Sequence, residues 1–167
     1  FNKNNERNKQ KKIVNELKIS NKYNYIWGYN ELSCKITDED QASFILYKHK
    51  NDGIIYIWGV FDGHGGASSA IYSASFFLRF IKDRHNDIKT GIFTKNHDNV
   101  YDYIKFFKDA CKIFDEQIGK ENLDGGNTVV IVLYSVKYGK IISVNVGDSR
   151  CLITSNNGEN VKQLSID

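Results

Sequence analysis

The residues that could do chemistry are concentrated between Val60 and Gly66, where an aspartate, an imidazole and three glycines follow an apolar segment. Asp62 can ligate a hard divalent cation through its carboxylate oxygens. Gly63 leaves the main chain open to a metal ion or a phosphate group, because no Cβ atom blocks the approach. His64 can give a proton to a leaving group near neutral pH. Few purely structural roles need all of these groups at once, so the segment predicts a chemical site.

A second acidic group, Glu39 and Asp40, precedes an apolar segment at residues 42–47. If that segment pairs as a hairpin with the apolar residues 54–61, the start of the first strand lies beside the end of the second. Glu39 and Asp40 then come near Asp62, and converging carboxylates repel one another unless a cation neutralises them. Oxygen ligands favour Mg²⁺ or Mn²⁺ over zinc. The alternative is an exposed acidic loop, which would be the simpler explanation if the acidic pair stood alone.

The elements that must position these groups follow from hydrophobic periodicity. Apolar residues recur at helical spacing from Ala67 to Ile81 and from Val100 to Ile118, which predicts two helices. The apolar or alternating segments predict about seven strands, at 23–28, 42–47, 54–61, 128–134, 141–146, 150–154 and 161–164. The segment 54–61 is so apolar that we expect both of its faces to be covered. Strands in blocks around a helical block predict an α+β fold with antiparallel sheets.

The bulk composition narrows the class of protein. The chain has 167 residues, of which 41% are hydrophobic and 26% charged, as in ordinary globular domains. Its net charge of +3 is too small to indicate a nucleic-acid partner, and no apolar run is long enough for a membrane span. The three cysteines are widely spaced without a CxxC motif, which predicts free thiols and a cytoplasmic or nuclear location.

Two further motifs lie beside predicted apolar strands, one after a strand and the other before one. Gly147-Asp148-Ser149-Arg150 comes after one predicted strand, and Gly125-Gly126-Asn127-Thr128 opens another. Each motif alone is compatible with a plain loop. In order, the acidic pair, VFDGHGG, GGNTVVIVL and VNVGDSR resemble the N-terminal motifs of the 2C-type, metal-dependent serine/threonine protein phosphatases. Four motifs in the same order are more specific than any one of them.

The resemblance extends from about Tyr23 to Asp167 and implies a domain organisation. Residues 1–20 would be a basic, loosely ordered segment, and residues 21–167 the N-terminal portion of a catalytic domain. The implied fold is a sandwich of two antiparallel β-sheets between helix pairs, incomplete at its C-terminal side. The family's later metal-binding aspartates would lie beyond Asp167, so we expect residues 1–167 alone to show little turnover.

The resemblance also implies roles for individual residues. Asp62 would bridge two Mg²⁺ or Mn²⁺ ions, and the carbonyl of Gly63 would bind one of them. Glu39 and Asp40 match the acidic pair at that centre, which acts mostly through bound waters. Asp148 matches a ligand of a third, weaker metal ion.

Two groups that would act on the substrate follow from the same resemblance. His64 matches the proposed general acid. The family's phosphate-binding arginine corresponds here to Lys35, whose point charge lacks the two-pronged grip of a guanidinium.

The activity implied is hydrolysis of phosphoserine and phosphothreonine in proteins by a metal-activated water molecule. The expected partners are phosphorylated protein substrates, and the expected state is a monomer. One alternative is a pseudophosphatase, in which the same fold binds a kinase or a scaffold without turnover. Another is an unrelated α+β domain that carries the motifs by chance.

Overall fold

The computed structural model describes residues 18–20, 25–27, 39–88, 90–93 and 100–166. The chain forms two compact units, Phe1–Asp38 and Glu39–Asp167. In the first unit, β1 (Lys18–Ser20) and β2 (Tyr25–Trp27) form an antiparallel hairpin. The strand predicted at residues 23–28 contains β2. Lys35 and most of the predicted basic segment at 1–20 lie outside the described residues.

The second unit contains the elements that matter for the candidate site. Its remaining strands and its two helices are β3 (Asp40–His49), β4 (Gly53–His64), α1 (Ser68–Asn86), α2 (Val100–Lys120), β5 (Gly126–Asn127), β6 (Val129–Ser135), β7 (Lys140–Val146), β8 (Leu152–Ser155) and β9 (Asn160–Gln163). The main sheet is antiparallel in the order β3-β4-β6-β7, and β5 pairs with the end of β4. β8 and β9 form a separate hairpin. The predicted α+β class with antiparallel sheets is confirmed.

The core lies between one face of the main sheet and α1 with α2. Alternate residues of β4, namely Ile55, Ile57 and Phe61, are fully buried on that face. Phe77 of α1 and Ile131 of β6 belong to the same cluster. Full burial of one such side chain stabilises the fold by about 1.5–3 kcal/mol, so this layer holds the β4 strand in place.

The opposite face of the sheet carries apolar residues that the helices do not cover. Leu46 and Val60 are 54% and 48% exposed. The expectation that both faces of β4 are covered is therefore wrong at Val60 within the described residues. On the same face Tyr56 is buried and stacks on Trp58 with ring centroids 5.7 Å apart, so the face is covered at Tyr56 and open at Val60.

Two of the three cysteines lie among the described residues. Cys111 and Cys151 are free thiols, as predicted, and Cys34 lies outside the described residues. Burial raises the pKa of the Cys111 thiol to about 11, so it is a poor nucleophile. In the part of the chain that the structure describes, no helix has both the length and the hydropathy needed to cross a bilayer.

We predict that Gly59→Ala destabilises the fold by about 1–3 kcal/mol, the usual effect of overpacking a core. A Cβ atom at Gly59 would lie 2.9 Å from the Phe61 ring and 3.0 Å from Leu78. Both neighbours are buried, so neither can swing aside. Urea denaturation measures the change. The matched control is Gly119→Ala, where a Cβ atom would meet nothing within 4 Å; equal midpoints for the two variants would refute the packing argument.

Candidate active site

The β3–β4 hairpin places two acidic side chains side by side. Asp40 is the direct cross-strand partner of Asp62, so both side chains project from the same face of the sheet, and both are exposed. The Gly63 amide donates a hydrogen bond to the Glu39 carbonyl at 3.2 Å. The neighbouring Asp40–Asp62 pair is therefore of the non-hydrogen-bonded type, in which opposite side chains approach most closely. Like charges in that arrangement destabilise a strand pair, so the donor set fits a divalent cation.

Glu39 lies one position earlier, opposite Gly63. Its Cβ atom and that of Ala70 both lie 3.2 Å from the point where a Cβ atom on Gly63 would be, so Glu39 starts on the α1 side of the sheet. A Cβ atom on Gly63 would lie 2.5 Å from the Glu39 carbonyl oxygen, which explains the glycine. The structure therefore pairs Asp40 with Asp62 directly, and it places Glu39 at the next position along the strand, where its side chain starts on the opposite face of the sheet.

His64 ends β4 between two glycine segments that touch through their backbones. Gly65 and Gly125 both have positive φ, at 72° and 71°, and a Cβ atom on Gly65 would lie 3.3 Å from the Gly125 Cα atom. The His64 ring lies over Gly126, where a Cβ atom would be 2.8 Å from Nε2. The exposed imidazole borders a cavity of about 590 Å³. Glu39, Asp40, Asp62 and Asp148 do not line this cavity, so it does not bring His64 together with the predicted metal ligands.

Asp148 lies in the turn after β7, and Thr128 connects this turn to β4. The Thr128 amide donates a hydrogen bond to the Asp62 carbonyl at 2.8 Å. The Thr128 hydroxyl is hydrogen-bonded to the Ser149 hydroxyl. Gly147 makes room for this contact, because a Cβ atom there would lie 2.8 Å from Thr128 Cγ2. The Asp62 and Asp148 motifs are therefore joined by one intervening residue.

The order of the motifs, and the hydrogen bonds that Thr128 makes to Asp62 and to Ser149, can be compared with known families. The family model described as "Protein phosphatase 2C" matches residues 32–167. The chain belongs to the protein phosphatase 2C family.

Curated relatives agree with this assignment. A Dictyostelium discoideum protein named "Probable protein phosphatase" is 27% identical over 64% of this chain and 10% of its own length. "Protein phosphatase 2C homolog 2" of Saccharomyces cerevisiae is 27% identical over 74% of this chain and 24% of its own length. "Protein phosphatase 1J" of Rattus norvegicus is 23% identical over 65% and 28%. The chain thus spans between 10% and 28% of the length of these relatives.

The fold has a solved counterpart. A structure titled as that of a C. elegans sex determining protein superposes with a TM-score of 0.57 at 22% identity, covering 79% of this chain and 31% of the other. This likeness supports the fold assignment that the 2C-type motifs implied.

A cluster of buried polar side chains, absent from the sequence prediction, lies at the turn end of the β3–β4 hairpin. Asp52 is fully buried, and its carboxylate accepts a hydrogen bond from His85 Nε2 at 2.8 Å. It also accepts hydrogen bonds from the amides of Ile92 at 2.6 Å and Phe93 at 3.3 Å. The cluster therefore fastens the hairpin turn to the end of α1 and to the segment that follows it.

Two more side chains complete this cluster. The Tyr47 hydroxyl is hydrogen-bonded to His85 Nδ1 at 2.6 Å. His49 Nδ1 accepts the Asp52 amide hydrogen at 3.1 Å, and its Nε2 donates to the Ile88 carbonyl at 3.2 Å. Because one ring nitrogen must accept and the other must donate, His49 is held as the neutral imidazole. Its ring stacks on that of His85 with centroids 4.1 Å apart.

The ligand atoms of His49, Asp52 and His85 lie within 4.8 Å of one another, so the cluster could hold a metal ion. The hydrogen bonds just described already occupy the ring nitrogens that would bind the ion. Imidazole ligands also suit zinc or copper better than the oxygen-seeking cations that carboxylates select. We therefore assign the cluster a structural role.

We predict that the free energy of unfolding falls as the pH drops below the ordinary histidine pKa of about 6.5. Burial, followed by the nearby His85, lowers the pKa of His49 in the folded state. The unfolded chain then binds the proton more readily, so protons favour unfolding in this range. Urea denaturation from pH 7.5 to 5 measures the slope. His49→Gln should show a shallower slope than the unaltered protein, and identical slopes would contradict the assignment.

Proposed function

We propose that the protein containing this chain hydrolyses phosphoserine and phosphothreonine in other proteins and depends on Mg²⁺ or Mn²⁺. The observation that carries the proposal is the direct pairing of Asp40 with Asp62 at the open end of the β3–β4 hairpin. Membership of the protein phosphatase 2C family and relatives named as protein phosphatases support it. Because the chain spans only part of each relative, the activity of the whole protein is part of the proposal.

The roles of the acidic residues follow from their positions. Asp62 would hold a pair of cations together with Asp40, Glu39 and the carbonyl oxygen of Gly63, and Asp148 would ligate a further, weaker ion. When bound, such a pair lowers the pKa of a water molecule and neutralises phosphate oxygens. A side chain at position 63 would collide with the Glu39 carbonyl, so the glycine is what allows the two acidic segments to lie side by side.

His64 would act as the general acid. Its exposed ring rests against Gly126, so its orientation is restricted. Protonation of the departing seryl or threonyl oxygen contributes typically about 10²–10⁴-fold in rate. Lys35 would bind the phosphate as a point charge, more weakly than an arginine.

The remaining aspects of the proposal concern cellular context. The substrates would be phosphorylated proteins, the protein would act as a monomer, and its location would be cytoplasmic or nuclear.

The presence of Lys35 in place of arginine favours a second candidate function, a pseudophosphatase that binds a kinase or scaffold without turnover. Turnover of a phosphothreonine peptide by the full-length protein with Mn²⁺, against a chelator control, separates the two.

We predict that Asp62→Asn in the full-length protein abolishes Mn²⁺-dependent hydrolysis of a phosphothreonine peptide, because the variant loses the central anionic ligand. The matched control is Asp83→Asn, which alters an exposed carboxylate on α1 that pairs with Lys82 at 4.0 Å. This control should retain activity. Full activity of Asp62→Asn would remove that residue from the proposed metal site.

We predict a different pattern for His64→Ala. An alkyl leaving group such as the threonyl oxygen needs a proton, whereas p-nitrophenolate leaves without one. The variant should hydrolyse the phosphothreonine peptide about 10²-fold more slowly or worse and p-nitrophenyl phosphate with a much smaller loss. The ratio of the two kcat values is the measurement. Equal slowing of both substrates would be incompatible with proton donation by His64.

A further inference from the structure

A line of four positions crosses the main sheet at its candidate-site edge. Asp40 pairs with Asp62, and the Asp62 carbonyl accepts the Thr128 amide hydrogen at 2.8 Å. Beyond Thr128, one step past the last pair of β6 and β7, Gly147 lies against the threonine side chain. Acidic residues therefore occupy one end of the line, and the turn that carries Asp148 lies at the other.

Thr128 makes contacts in both directions along this line. Its amide donates a hydrogen bond to the Asp62 carbonyl, while its hydroxyl is hydrogen-bonded to the hydroxyl of Ser149. Ser149 follows Asp148 directly in the chain, so this bond restrains the residue beside the acid. The absence of a Cβ atom at Gly147 lets the two hydroxyls meet. The amide of Thr128 thus contacts the Asp62 motif, and its hydroxyl contacts the Asp148 motif.

Thr128 is itself held in place by its neighbour. Asn127 Oδ1 accepts hydrogen bonds from the hydroxyls of Ser69 at 2.7 Å and Ser73 at 3.0 Å, both on α1. Its Nδ2 donates to the Thr128 carbonyl at 2.9 Å. Ser69 and Ser73 are each only 1% exposed, so this anchor is shielded from water. The start of β6 is consequently a fixed support.

We propose that Thr128 is a positioning residue that sets the Asp148 turn relative to Asp62 through its hydroxyl group. This inference rests on the proposed function, because it assumes that Asp62 and Asp148 bind cations. Residues that orient metal ligands through hydrogen bonds typically change metal affinity by about 10- to 100-fold when they are removed. Thr128 would act on Asp148 through the adjacent Ser149, to whose hydroxyl it is hydrogen-bonded, and its separate amide bond to Asp62 survives any change of its side chain.

The test is Thr128→Val in the full-length protein, with Mn²⁺ binding measured by isothermal titration calorimetry. Valine keeps the shape and the amide but removes the hydroxyl. Asp148→Asn and Asp62→Asn are titrated in parallel. Each shows which Mn²⁺-binding step of the titration depends on the acid that it lacks. Thr128→Val should weaken the Asp148-dependent step by about 10- to 100-fold and leave the Asp62-dependent step unchanged.

Companion variants separate positioning from general stability. Thr128→Ser should restore the affinity, because it restores the hydroxyl. Ser149→Ala should reproduce the loss, and the double variant should be no worse than either single one, since both remove the same bond. Thr154→Val, an exposed site in β8, should bind Mn²⁺ as the unaltered protein does. Thermal melting without metal records the stability of each variant.

The outcomes are distinct. Unchanged Mn²⁺ affinity in Thr128→Val, with or without a lower melting temperature, would overturn the positioning role alone. Equal weakening of both steps would also overturn it, because the effect would then be general. If Asp148→Asn removes no step, the role fails for lack of a ligand to position. If the unaltered protein binds no Mn²⁺, the proposed function fails and this inference fails with it.

Discussion

The candidate site depends on the register that places two acidic residues opposite each other on adjacent strands. Asp40 and Asp62 oppose each other in the close, non-hydrogen-bonded register of an antiparallel pair. Burial of alternate residues of β4 against α1 fixes that register, because a slip by one residue would turn Ile57 and Phe61 away from the core. The hydrophobic core therefore fixes the two acidic residues opposite each other, and under the proposed function a divalent cation would bind there.

Around this pair, glycines let separate segments of backbone approach one another. The Glu39 carbonyl reaches the Gly63 amide, and Gly65 lies against Gly125. Thr128 then links the Asp62 strand to the turn after Gly147. Each approach depends on a missing Cβ atom, so the glycines form contacts that a larger residue would prevent. They bring segments distant in the sequence to one edge of the sheet.

Much of the architecture could be predicted from the sequence. The helices and the strands of the main sheet follow from periodicity, and the hairpin that pairs Asp40 with Asp62 follows from two apolar segments around a turn.

The sequence pattern does not reveal β5, because this strand is only two residues long and contains a glycine. The Asp52 cluster was missed because its partners lie as far as 41 positions away in the chain; the local sequence indicated only a turn, which is present. The link through Thr128 was missed for the same reason, since Ser149 is 21 positions away.

The most direct measurement is the paramagnetic broadening of amide NMR signals when Mn²⁺ is titrated into the full-length protein. The account predicts that the amides of Asp40, Asp62 and Gly63 broaden first. The amides of His49 and Asp52 lie at the other end of the hairpin, about 30 Å away by strand length, and should be affected last. Early broadening at His49 and Asp52, with sharp signals at Asp40 and Asp62, would contradict the account and assign the cation to the buried histidine cluster.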